Sequence, residues 1–346
     1  MYQLKINTSR STSQVLVGES YLNLPAYLPE NRQAVIITDS HVRQYYRNMI
    51  DRYPVIEIGC GEEHKTIRTV EGIYSALLGC NADRNSFIVA VGGGIVCDVA
   101  GFAASTYMRG IPFGFVPTTL LSQVDAGVGG KNGVNFGGYK NMVGTFSQPL
   151  FVICDAGMLN TLPAKEFVSG LAEVVKAAAI KDGRLFDYLE QHAGEILAGK
   201  PDVLSHIILE SVKIKAQVVE HDEREQGERR ILNFGHTFGH AVELLGGVSH
   251  GEAVSVGMMI AARWSAGEGG LPADSVERIE RLLKRLGLPV STTLSAGDIL
   301  QTALKDKKRE SDVLRLALLE SIGKAVIRPV SVCEVNEKLF RYLQNT

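Results

Sequence analysis

The chain has 346 residues with a formal charge of −2; hydrophobic residues make up 45% and charged residues 21%. That length favours two domains over one core, and the charge balance gives no electrostatic reason to expect a nucleic-acid or anionic-membrane partner. No apolar run is long enough for a bilayer, Met1–Asn7 has no signal-peptide h-region, and five cysteines without a C-x-x-C read as reduced thiols, so a cytoplasmic protein is expected.

In chain order, short apolar runs at 14–17, 34–38, 55–58, 87–91, 113–116 and 151–154 predict strands. Several are nearly continuous in Val, Ile and Phe, as in a sheet buried on both faces. Helical patterns at 41–50 and 66–78 lie between them, and this alternation predicts an α/β domain with a largely parallel sheet. From Pro163 the pattern turns helical: 163–180, 185–198, 203–219, the stretch around His236, 253–267, 273–286, 295–304 and 332–343. A small hairpin is expected from 313–319 and 325–327. The boundary falls near 155–161, giving an α/β domain at 1–157 and a mainly helical one at 158–346.

The chemistry-bearing residues cluster. Phe87 to Asp98 reads as a strand, a turn at Gly92-Gly93-Gly94 and a helix, a setting in which backbone N–H groups cradle a phosphate, although it is not G-x-G-x-x-G. Asp39, ending a strand, suits either a ribose hydroxyl or the cap of the next helix. Arg109, Lys131 and Lys140 are separated by glycines, which places them on loops suited to phosphate or carboxylate. Glu173 and Lys176 stand three apart in an apolar helix and need partners, either each other or a metal and an anion. His236 and His240 share a helical face, with Glu243 a further turn along, and His250-Gly251-Glu252 follows. On spacing alone, His236 with His240 is the metal-binding pair.

The motifs Gly92–Asp98, Tyr107-Met-Arg-Gly, Val116-Pro-Thr-Thr-Leu-Leu, Val124-Asp125, Gly129-Gly-Lys131, Lys140-Asn141, Leu171-Ala-Glu-Val-Val-Lys176, Leu232-Asn-Phe-Gly-His-Thr-Phe-Gly-His240 and His250-Gly-Glu together resemble the 3-dehydroquinate synthases among the sugar phosphate cyclases. They run in order from about residue 39 to 310. The resemblance implies a Rossmann-like NAD domain, a helical domain, and one divalent metal, zinc or cobalt, held by Glu173, His236 and His250. It moves His240 to the substrate phosphate, with Lys131, Asn141 and an Arg109 supplied by the other subunit of a homodimer. It gives the substrate carboxylate to Lys215 and Arg229, with Lys307 closing the site, and the substrate hydroxyls to Asp125 and Lys176. It surrounds NAD with Asp39, Glu62, Lys65, Gly93, Gly94, Ile95, Asp98, Thr118, Thr119, Lys131, Lys140, Thr161 and Glu166. Cys97 and Asn132 stand where the family commonly has Gly and Thr.

The implied reaction takes a small sugar phosphate, 3-deoxy-D-arabino-heptulosonate 7-phosphate, through transient oxidation, phosphate elimination, re-reduction and aldol closure. A cyclase for sedoheptulose 7-phosphate or glucose 6-phosphate competes with this reading, but neither substrate has a carboxylate for Lys215 and Arg229. A metal-dependent alcohol or glycerol dehydrogenase leaves the phosphate-type lysines unexplained. An inactive NAD-binding scaffold leaves the whole constellation unexplained.

Overall fold

The computed structural model describes residues 1–8, 11–306 and 313–344. They form two compact units, Met1–Pro163 with Lys215–Glu223, and Ala164–Ile214 with Arg224–Thr346. No composition shift or break in the helical pattern marks the return of Lys215–Glu223 to the first unit. Side chains tie it there: Lys215 Nζ donates to the Asp125 carbonyl at 2.5 Å, Asn7 N to Glu220 Oε1 at 2.7 Å, and Gln148 Nε2 to Glu223 Oε1 at 3.2 Å.

The first unit is built on a sheet of β1 (Tyr2–Asn7), β2 (Thr12–Val17), β3 (Ala34–Asp39), β4 (Val55–Ile58), β5 (Phe87–Gly92), β6 (Phe113–Pro117) and β9 (Phe151–Cys154), in the order β1-β2-β9-β6-β5-β3-β4. All neighbours run parallel except β1 with β2. The central strand β5, Phe-Ile-Val-Ala-Val-Gly, is buried throughout, as its unbroken apolar run requires. β1 was not expected: of its residues only Ile6 is buried, so it lacks the apolar signal of the central strands. The helices are α1 (Ser40–Ile50), α2 (Ile67–Gly79) and α3 (Gly94–Thr106). Tyr46, Met49 and Ile50 of α1 join Leu16, Ile36, Phe87, Val89 and Phe151 in one buried cluster.

The stretch carrying Lys131 and Lys140 corrects the loop expectation. It forms an antiparallel hairpin of β7 (Lys131–Phe136) and β8 (Tyr139–Phe146). Its glycines disguise it as loop but are required by close backbone approach. Gly133 faces Gly144 across the pair, and a Cβ on Gly144 would lie 2.4 Å from the Asn132 carbonyl.

The second unit contains α4 (Ala164–Lys181), α5 (Gly183–Leu197), α6 (Pro201–His221, its last turns belonging to the first unit), α7 (His236–Gly246), α8 (His250–Trp264), α9 (Ala273–Arg285), α10 (Ala296–Asp306), the hairpin β10 (Val313–Ser321) and β11 (Lys324–Ser331), and α11 (Val332–Gln344). The hairpin is longer than the expected runs. Phe238, Ala241 and Val242 on one face of α7 pack with Val256, Ile260 and Trp264 of α8 and with Leu316 and Leu339. Burial of each larger member, such as Phe238, Val242, Ile260 or Leu316, contributes about 1.5–3 kcal/mol. This leaves the opposite face of α7, with His236, His240 and Glu243, for other work. The mixed α/β unit and mainly helical unit are the expected fold class. No helix among the described residues is long and apolar enough to cross a membrane.

Candidate active site

Three helices bring the expected metal ligands together in the second unit. Glu173 is on α4, His236 opens α7 and His250 opens α8. Glycines permit the approach. A Cβ on Gly251 would lie 2.1 Å from the Ser169 carbonyl oxygen, and Gly251 N donates to Ser169 Oγ at 2.9 Å, so the start of α8 sits directly on α4. A Cβ on Gly257 would lie 1.9 Å from the Gly235 carbonyl oxygen, so α8 also presses on the start of α7. Gly235 itself has φ +82°, a left-handed backbone that glycine adopts without cost. Glu252 fixes the start of α8, its carboxylate accepting from Ser249 N at 2.8 Å and Ser249 Oγ at 2.7 Å.

The donor atoms converge. Glu173 Oε1 lies 3.4 Å from His236 Nε2 and 3.2 Å from His250 Nε2, and the three ligand atoms fall within 4.8 Å of one another. Lys176 pairs with the other oxygen, Oε2. The ion-pair alternative is thus met on Oε2, while Oε1 faces the two imidazoles. Each imidazole is also held from behind: Nδ1 of His236 lies 3.3 Å from the Phe234 carbonyl, and Nδ1 of His250 lies 3.4 Å from Glu243 Oε2. His240, the partner chosen on spacing, has its ring centroid 5.3 Å from that of His236 and 6.3 Å from that of His250. It lies beside the triad and is not one of its converging ligands.

The electrostatics suit a cation. The Glu173 side chain is 1% exposed; burial pushes its carboxyl up, but Lys176 and the two imidazoles outweigh burial and hold it well below the usual carboxylate range. Burial, reinforced by Lys176, holds His236 well below its ordinary value, so the ring is neutral. With Nδ1–H donated to Phe234, the His236 Nε2 lone pair then faces a carboxylate oxygen, two acceptors that need a cation or proton between them. Burial opposes charge on His250, but Glu173 and Glu243 prevail and raise it to about 9. Metal-free protein thus keeps a proton where a metal would bind. Two imidazole nitrogens and one carboxylate oxygen are a donor set of the kind that suits zinc or a similar ion.

In the first unit, the turn Gly92–Gly94 leads β5 into α3, whose N-cap, Gly93, provides no side-chain cap. A Cβ on Gly93 would come 3.1 Å from Thr119 Cγ2, and one on Gly94 3.1 Å from Ala126 Cβ, so the turn is pressed close to its neighbours. Ile95 follows in the first turn of α3. Lys65 Nζ donates to Asp98 Oδ2 at 2.5 Å; burial pushes the Asp98 carboxyl up while Lys65 opposes it. Asn135 Nδ2 donates to Glu62 Oε1 at 2.8 Å, and its Oδ1 accepts from Asn141 N at 2.9 Å. Asn135 thereby joins the Glu62 turn to the Lys140-Asn141 strand, a link that sequence reading missed because a lone Asn carries no pattern. Thr118 N donates to the Gly92 carbonyl at 2.9 Å, and Thr119 and Ser122 hydroxyls lie 2.8 Å apart. Thr161 Oγ1 meets Tyr46 Oη at 2.8 Å. Asp39 Oδ1 accepts from Val42 N at 2.9 Å, the capping role.

Lys215 pairs with the Asp125 carboxylate. Arg109, Lys131 and Lys140 are exposed, Arg109 with φ +71°. Arg229 is 2% exposed in a short turn of the second unit, and Glu166 is exposed in the first turn of α4. Lys307 lies outside the described residues.

Known proteins match the chain in two consecutive stretches. Residues 55–169 match the family model "3-dehydroquinate synthase N-terminal" and residues 170–309 match "3-dehydroquinate synthase C-terminal". The chain is 41% identical over 343 residues to a 3-dehydroquinate synthase from Pelobacter propionicus, with 94% of this chain and 96% of that protein covered. Identity to the Geobacter metallireducens 3-dehydroquinate synthase is 48% over 272 residues, covering 78% and 76%. Among solved structures, 2-epi-5-epi-valiolone synthase from Streptomyces hygroscopicus, with NAD+ and Zn2+ bound, superposes with a TM-score of 0.88 at 28% identity, covering 98% and 99%. A 2-deoxy-scyllo-inosose synthase complexed with carbaglucose-6-phosphate, NAD+ and Co2+ gives 0.86 at 29%, covering 98% and 100%. A probable glycerol dehydrogenase from Sinorhizobium meliloti, at 16% identity and a TM-score of 0.66, shares the fold alone. The two domain models abut between residues 169 and 170, and a relative above 40% identity is matched over nearly its whole length; the chain belongs to the 3-dehydroquinate synthase family.

Proposed function

We propose that this chain converts 3-deoxy-D-arabino-heptulosonate 7-phosphate to 3-dehydroquinate and phosphate, a carbon–oxygen lyase step of the shikimate pathway to aromatic amino acids, as a cytoplasmic homodimer. The observation that carries the reading is the convergence of Glu173 Oε1 with the Nε2 atoms of His236 and His250 in a chain of this family. When bound, NAD+ supplies a hydride acceptor used reversibly within one turnover, and the zinc or cobalt ion supplies Lewis acidity to a substrate hydroxyl.

The chain's own residues do the holding. Glu173, His236 and His250 are the metal ligands. Backbone N–H groups at Gly93, Gly94 and Ile95 receive the cofactor's pyrophosphate at the start of α3. Asp39, Glu62, Lys65, Asp98, Thr118, Thr119, Lys131, Lys140, Thr161 and Glu166 complete the cofactor's surroundings. Asp125, paired with Lys215, and Lys176, paired with Glu173, orient substrate hydroxyls. Lys131, Asn141 and His240 take the substrate phosphate, with Arg109 from the second subunit. Lys215 and Arg229 take the carboxylate, and Lys307 closes on it. Fixing the reacting groups in this way lowers the entropic part of the barrier.

A phosphate-release assay with the heptulosonate substrate and catalytic NAD tests the reading. Turnover many times the NAD supplied, with no accumulating NADH, is expected, and sedoheptulose 7-phosphate should be a poor substrate because its lack of a carboxylate leaves Lys215 and Arg229 without that partner. Equal turnover of the two sugars would replace this assignment with another cyclase; stoichiometric NADH would replace it with a dehydrogenase.

A further inference from the structure

We propose that Glu243 is a positioning residue for the metal centre, accepting the Nδ1–H of His250 so that Nε2 is aimed at Glu173. The inference rests on the metal-centre reading and adds to it a residue outside the ligand set.

The geometry has three parts. Glu243 Oε2 lies 3.4 Å from His250 Nδ1, while Nε2 of the same ring lies 3.2 Å from Glu173 Oε1, so the imidazole is held between two carboxylates. Glu243 is seven residues after His236 on α7, and two helical turns return it to the same face. One helix therefore supplies a ligand at its start and the support of the second ligand near its end. The Glu243 side chain is 14% exposed, which makes its charge worth more than a surface carboxylate's.

Chemistry favours the same role. Once a metal holds Nε2, Nδ1 must carry the ring's proton, and a carboxylate acceptor there fixes the tautomer, fixes the ring plane and makes Nε2 a stronger donor. His236 obtains the first two from the Phe234 carbonyl, but a neutral carbonyl supplies less of the third. The two imidazoles are thus supported unequally, and His250, which is 27% exposed against 11% for His236, is the one with the charged support. The ring with more freedom to turn toward water has the stronger tether. At 3.4 Å the contact is long for a charge-assisted hydrogen bond, so its charge acts here mainly through orientation of the ring.

The test compares wild type, Glu243→Gln and Glu243→Ala, each stripped and reloaded with zinc. Zinc affinity is read by competition with a chromogenic chelator, and melting is followed with and without zinc. We expect Glu243→Ala to bind zinc about 10–100-fold more weakly. Glu243→Gln, whose amide oxygen still accepts but carries no charge, should fall between. Metal-free melting of both should stay near wild type while the zinc-induced increase shrinks. Unchanged zinc affinity in Glu243→Ala overturns the assignment. So does a metal-free melting loss that accounts for the whole effect, since that marks a packing role only. A wild type that takes up no zinc overturns the metal-centre reading and the assignment with it, which separates the two failures.

Discussion

Two groups of ligand-type side chains among the described residues lie within metal-binding reach: Glu173, His236 and His250 in the second unit, and Asp39, His41 and Cys60 in the first. By donor spacing alone they are equivalent, each falling within 4.8 Å. By support they differ. Both imidazoles of the first group have an acceptor behind Nδ1, and its carboxylate is buried with Lys176 on its second oxygen. In the other group Asp39 already caps α1, Cys60 Sγ sits 3.2 Å from Ser40 Oγ, and His41 is exposed. Proximity of donors is common at surfaces. A centre needs donors desolvated and oriented in advance, because only then does a cation replace an unfavourable arrangement and not a comfortable hydration shell.

The largest effect expected from this contrast is on chemistry. His236→Ala removes a ligand and with it the Lewis acid, which contributes several kcal/mol to transition-state stabilisation. Turnover should fall roughly a thousandfold or more, with zinc absent from the purified protein; near-wild-type turnover would break the contrast. Next is Gly251→Ala. Its Cβ would lie 2.1 Å from the Ser169 carbonyl oxygen, so α8 must move off α4 and take His250 with it. Overpacking of this kind costs about 1–3 kcal/mol, and both melting temperature and zinc affinity should drop. A fall in melting temperature alone would mean that His250 is not held through this contact.

A smaller effect follows from protons. The native value for His250 is raised to about 9 from an ordinary 6.5. A raised value stabilises the fold fully below the unfolded value and ceases to do so as pH rises through the folded one. Metal-free protein should therefore lose stability between about pH 6.5 and pH 9. Zinc affinity should rise over the same window, because the metal displaces that proton. Melting scans in chelator and in zinc would check both slopes, and parallel slopes would contradict the assignment of the proton to the metal position.

How much of this was legible in the sequence differs between the two groups. Glu173 and Lys176 were readable because a charge in Leu-Ala-Glu-Val-Val-Lys has to find a partner, and it finds one on each carboxylate oxygen. His236 was readable from its helix. His250 was not, on spacing alone: it reaches the site through the Gly251–Ser169 and Gly257–Gly235 contacts, which a helical wheel does not show, and only the family resemblance named it. Spacing chose His240 because it measures one helix, whereas the converging donors come from three. The sheet was legible where strands are buried on both faces and was missed at β1, an edge strand with little buried surface, and at β7–β8, whose glycines read as loop. The return of Lys215–Glu223 to the first unit depends on side-chain pairs with Asn7, Asp125 and Gln148, far away in sequence.

Support, and not donor proximity, makes the metal centre. Elemental analysis of wild type, His236→Ala and Cys60→Ser, each reconstituted with excess zinc and dialysed, tests it most directly. One tightly held ion per chain is expected in wild type and in Cys60→Ser, and none in His236→Ala. An ion kept by His236→Ala and lost from Cys60→Ser would contradict it.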